Sequence, residues 1–120
     1  MATNLDLWGE IAPSAVRTPA SILKEQASLL GAKTQHMIEG EVVTSALGSS
    51  FYHSFLLVVP SLDEYKYKLF EIHHGVSPYP VSVLMTDLPD EDRFVAWLRD
   101  TLSSAETKSI IGNLLAQARS

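Results

Sequence analysis

The chain has no cysteine in its 120 residues. Disulfides, thiolate zinc sites and cysteine nucleophiles are excluded, and a reducing, cytoplasmic setting is expected. Cations are also scarce: nine Lys and Arg stand against 14 Asp and Glu, for a net charge of −5. A duplex-binding protein needs a basic footprint to neutralise phosphates, so nucleic acid is not an expected partner. No apolar stretch is long enough to span a bilayer, and Ala2–Asp6 lacks the basic n-region of a secretory signal. No membrane association is expected. None of the six glycines sits in a GxGxxG or Walker-like run, which removes phosphate cradles. Internal repeats and low-complexity segments are missing, and no cofactor is implied.

What is present is ordinary globular material, 46% hydrophobic. A chain of this size buries roughly two-thirds of the surface its unfolded form exposes, so residues 1–120 read as one domain. The most apolar run is Phe51–Val59, rich in aromatic and β-branched residues and too short for an ordinary helix. As a strand it places Phe51, His53, Phe55, Leu57 and Val59 on one face and Tyr52, Ser54, Leu56 and Val58 on the other. Both faces are largely apolar, so cover on both sides is expected. Pro60 ends the run. Tyr65–His73 also alternates, and Ser61–Glu64 suits a hairpin turn. The simplest register pairs Val59 with Tyr65, Leu57 with Tyr67 and Phe55 with Leu69, and sets His53 opposite Glu71.

Leu5, Leu7, Trp8 and Ile11 fit one side of a short helix in an arm, 1–17, that packs Trp8 on the body or reaches a partner subunit. Thr18-Pro19 caps a helix whose stripe is Ile22, Leu23, Ala27, Leu29 and Leu30, with Gly31 as a stop. Ile38–Leu47 is a first strand, turning through Gly48-Ser49-Ser50 into the central run. A loop of two residues sets Thr44 opposite His53; a loop of three sets Ser45 there. Val81–Thr86 is a fourth strand, with Val81, Val83 and Met85 on one side. Asp87–Asp92 opens a helix with the stripe Phe94, Trp97, Leu98, Thr101 and Leu102. Ser103 with Glu106 reads as a capping box for a last helix. Gly112 in that helix suggests a close packing contact or a bend. The fold class is α+β: an N-terminal helix, a four-stranded antiparallel meander and two C-terminal helices on one sheet face.

Chemistry has thin support. Thr44 or Ser45, His53 and Glu71 in a row have the ordering of nucleophile, base and orienter. The plainer reading is a satisfied buried network. His53, His73 and Glu71 could share a face as two imidazoles and a carboxylate, but no HxH or HxxxH pair anchors them, so no metal site is assigned. Tyr65-Lys66-Tyr67-Lys68 interleaves aromatics with lysines, which suits base stacking only if both share a face. Asp87, Asp90, Glu91 and Asp92 lack calcium-loop spacing and are explained by the helix dipole. Thr18–Val42, TPASILKEQASLLGAKTQHMIEGEV, resembles small bacterial proteins in texture, and that resemblance implies no activity.

Two function classes follow. One is a non-catalytic module that self-associates as a homodimer, or meets a protein partner, through Tyr52, Leu56, Val58, Phe70 and Ile72 on one sheet face. The other is a small enzyme or ligand-binding protein, with His53 and Glu71 as catalytic groups and His73 and Tyr67 binding the ligand. Small size and acidic charge also fit a third class, an inhibitor or immunity-type partner of another protein.

Overall fold

The computed structural model describes residues 5–120. Helix α1 (Pro19–Lys33) is followed by strands β1 (Glu39–Leu47), β2 (Ser50–Val59) and β3 (Tyr65–His74), short strands β4 (Val81–Val83) and β5 (Thr86–Leu88), then helices α2 (Glu91–Leu102) and α3 (Ala105–Ala118). The strands form one antiparallel sheet in sequence order, β1-β2-β3-β4-β5. The class is α+β, with a sheet of five strands where four were expected. Among the described residues no helix is long and apolar enough to cross a membrane.

The extra strand comes from splitting Val81–Thr86. Leu84, at φ +52°, turns the chain, so β4 and β5 form a small hairpin with Leu84 and Met85 at its exposed tip. Met85 therefore does not share a face with Val81 and Val83, and Asp87-Leu88 belongs to β5 rather than to a helix start. Each helix start has a side-chain cap. Thr18 accepts from the Ser21 N–H, Asp90 from that of Arg93, and Ser104 from that of Thr107. The last cap is Ser104, one residue beyond the expected Ser103, which instead ends α2.

The core joins Ile22, Leu23 and Ala27 of α1, Phe55, Leu57 and Val59 of β2, Ile72 of β3, Phe94 and Leu98 of α2, and Leu114 of α3. Gly40 lets β1 approach α1 closely: a Cβ there would lie 2.5 Å from the Ala27 Cα. Gly112 needs no such explanation, because a Cβ there would meet nothing within 4 Å. Cover on both sides of β2 was expected, but among the described residues no helix lies over its opposite face. Lys66 reaches Glu41 across it at 3.2 Å, and Lys68 reaches Glu71 at 3.5 Å. Val58 is nonetheless buried and Leu56 half-buried; a lysine stem can cover apolar neighbours while its ammonium stays in water.

The segment ahead of α1 forms no helix between residues 5 and 18. Trp8 does not pack on the body: it is 81% exposed, with Leu5 at 80%, Leu7 at 81% and Ile11 at 73%. The root of this arm is pinned. The Tyr79 hydroxyl donates to the Arg17 carbonyl at 2.9 Å, and the Arg17 guanidinium meets Glu25 at 2.7 Å. Burial, then the nearby Glu91 carboxylate, push the Tyr79 phenol up to about 12, so it stays a donor.

Candidate functional site

The polar row in mid-sheet does not have the expected members. The β1–β2 turn is a two-residue loop, Gly48-Ser49, with Gly48 at φ +62°. That length sets Thr44 opposite His53, and the Thr44 hydroxyl lies 2.8 Å from His53 Nδ1. On the other side the register slips. Val59–Tyr65 and Leu57–Tyr67 pair as expected, but Phe55 meets Phe70, with Leu69 as an extra residue on β3. Beyond this bulge every β3 side chain changes face. Ile72, not Glu71, lies opposite His53, and His74 comes round to meet it, with the two Nε2 atoms 2.9 Å apart.

Glu71 sits on the other face, where it accepts from the Ser54 hydroxyl at 2.9 Å. His73 is on that face too, stacked on Tyr52 with ring centroids 5.1 Å apart. Tyr67 faces the helices and lines a smaller hollow with Leu69 and Thr107. His53, Glu71, His73 and Tyr67 are thus not brought together. The same slip divides the expected interface set. Tyr52, Leu56 and Val58 stay on the face without helices, whereas Phe70 and Ile72 turn into the helix-covered side. There Ile72 is fully buried, and Phe70 stacks on Phe55 and meets Trp97 edge-on.

The proton positions in the row follow from its ends. His74 Nδ1 is 2.7 Å from the Gly75 carbonyl, which can only accept, so Nδ1 carries the proton. His74 Nε2 then accepts from His53 Nε2–H, and His53 Nδ1 accepts from the Thr44 hydroxyl. Every partner is satisfied with both rings neutral. Burial, then His74, then Lys24 hold His53 below its ordinary value. An imidazolium on His53 would be disfavoured by a second imidazole and by Lys24, and among the described residues it hydrogen-bonds no carboxylate. The row therefore lacks the group that makes histidine an effective base beside a hydroxyl. Among the described residues no cluster of three or more His, Asp or Glu could hold a metal ion.

A different feature has the shape of a site. Helix α1 packs over β1, while α2 lies towards β5 and over Phe70. Above β2, whose inward side chains Phe55 and Leu57 are themselves buried, the helices leave a groove of about 600 Å³ between them. Phe55, Leu57 and Leu69 are its floor, Leu29 and Leu30 one wall, Val95, Leu98 and Leu102 the other. The charged residues lining it are Lys33, Arg99 and Lys108, all cations. Among the described residues none of the three pairs with a carboxylate.

Compared with protein-family models, curated proteins and solved structures, the chain matches none. The groove was missed in the residues because its walls belong to the same stripes that fill the core. The available signal was that Leu29, Leu30 and Leu102 continue those stripes towards helix ends that finish in Lys33, Arg99 and, nearby, Lys108.

Proposed function

We propose that the protein is a non-catalytic binding module whose working surface is the groove between α1 and the α2–α3 pair. The observation that carries this is an apolar cleft of about 600 Å³ with only cations among its charged lining residues, on a chain of net charge −5. Binding clefts of this size, with apolar walls and a few placed polar groups, hold ligands by burial and orient them by charge. The matching ligand is an apolar segment with acidic groups beside it. The row Thr44–His53–His74 serves the fold rather than a reaction, since its donors and acceptors are consumed by one another. The bulge sends His53 to one face and Glu71 and His73 to the other, which weighs against an enzyme or ligand-binding protein built on all three.

The test uses 8-anilinonaphthalene-1-sulfonate, which joins apolar rings to one anionic group. At low protein concentration it should bind saturably, one per chain. Leu102→Glu and Arg99→Glu should each weaken it roughly tenfold with an unchanged near-UV spectrum, as one lost hot-spot contact does. Absence of binding, or binding indifferent to both substitutions, contradicts the proposal.

A further inference from the structure

We infer that the groove is filled by residues 5–11 of a second copy of this chain, each copy lending its arm to the other. This rests on the binding-module reading and names the occupant.

The arm, Leu5-Asp6-Leu7-Trp8-Gly9-Glu10-Ile11, carries more exposed large apolar side chains than any other stretch of its length among the described residues. Its four large side chains are 73–81% exposed, and three lie within four residues. A contiguous apolar patch of this kind on a soluble chain marks a contact surface. Between these side chains stand Asp6 and Glu10, with no lysine or arginine before Arg17. The arm is thus acidic and apolar, and the groove is cationic and apolar. Complementary charge of this kind selects a partner and sets its register. The arm is also locally preset. Asp6 Oδ1 accepts from the Trp8 N–H at 2.9 Å, and Gly9 takes φ +68° to turn the segment. An indole is among the side chains most enriched at interface hot spots.

The arm comes from another copy because its own groove is available and unused. In the single chain, Leu5, Leu7, Trp8 and Ile11 remain in water although the groove of the same chain is open. The root at Arg17 is held by Tyr79 and Glu25, so residues 5–16 leave the body from a fixed point. The twelve steps from Arg17 to Leu5 span up to about 40 Å when extended, enough to reach a neighbour. Two reciprocal arms give a closed twofold pair. With three aliphatic side chains and one indole per arm, and both sides of each contact counted, the buried surface reaches the ~1,600 Å² scale of a stable interface.

The experiment is sedimentation equilibrium of the full chain over a wide concentration range, with Trp8 emission followed alongside. The double variant Leu7→Ser/Trp8→Ser supplies the blank for that emission. Wild type should pass from monomer to dimer as concentration rises, with Trp8 shifting to shorter wavelength over the same range. Leu7→Ser/Trp8→Ser should weaken dimerisation at least about thirtyfold. Lys108→Glu with Arg99→Glu should weaken it roughly tenfold, and adding Asp6→Lys and Glu10→Lys should restore it. A wild-type monomer at every concentration overturns the inference, whether Trp8 stays wet or is shielded by its own chain. So does a dimer that survives Leu7→Ser/Trp8→Ser. The sulfonate dye separates this failure from failure of the groove reading. If the arm variant still binds dye in the groove, only the arm exchange is lost; if it binds none, the groove reading is lost with it.

Discussion

His53 and His74 face each other across β2 and β3 with their Nε2 atoms 2.9 Å apart, and the outer nitrogen of each ring is occupied by Thr44 and by the Gly75 carbonyl. Two imidazoles joined in this way can share one proton between them but cannot both be charged on those facing nitrogens, since neither would then accept. The row is a strut between three strands.

That strut predicts a pH dependence with a definite sign. His53 is held below its ordinary value near 6.5 by burial first, and then by His74 and Lys24. Above about pH 6.5 the ring is neutral in both folded and unfolded chains, and its contribution is fully present. As pH falls from there through the folded value, the unfolded chain takes up a proton that the folded chain resists, and stability declines. The urea midpoint should therefore drop as pH falls below about 6.5. His53→Gln, neutral at every pH, should drop less. Equal slopes for the two proteins would remove His53 as the cause.

The bulge at Leu69 is tested by what its neighbours bury. Phe70 stacks on Phe55 at 5.4 Å and meets Trp97 edge-on at 5.1 Å. Phe70 is half-buried, so Phe70→Ala should cost about 2–3 kcal/mol in denaturant unfolding, below most of the range for a fully buried aromatic. Lys68→Ala, which removes one exposed ion pair, should cost less than ~1 kcal/mol. A small loss at Phe70 would place that ring on the uncovered face and restore the unbulged register.

Two glycines should respond with opposite signs. Gly40→Ala must push β1 away from Ala27 and should cost about 1–3 kcal/mol, as overpacking does. Gly112 lies inside α3 with open space at its Cβ position. Gly112→Ala should stabilise by up to ~1 kcal/mol through helix propensity alone. Thermal unfolding of both variants checks the pair, and a stabilised Gly40→Ala would contradict the close seating of α1.

The long elements are legible in the residues because each carries a period. Ile22, Leu23, Ala27 and Leu30 repeat as a helix face, Phe94, Leu98 and Leu102 do the same, and Phe51–Val59 alternates. The bulge is silent because Leu69 and Phe70 are both apolar, so either register buries a hydrophobic side chain against Phe55. No glycine or proline marks it. The β4–β5 hairpin is silent for another reason: strands of three residues are too short for alternation to show, and Leu84 is not a residue that announces a left-handed turn. The polar row failed with the bulge, since moving Glu71 by one face moves the carboxylate out of reach of His53. The groove is a gap between elements, and gaps depend on how far apart helices settle rather than on any one segment's pattern.

Whether the arm of one chain lies in the groove of another is read most directly by cross-linking. The absence of native cysteine makes this directly measurable. Leu7→Cys in one chain and Ser103→Cys on the groove of a second should form a mixed disulfide when the two are combined and mildly oxidised. That product should appear much faster than one between Leu7→Cys and Val76→Cys, an exposed position away from the groove. Equal rates for the two pairings, or no mixed product at Ser103, would contradict it.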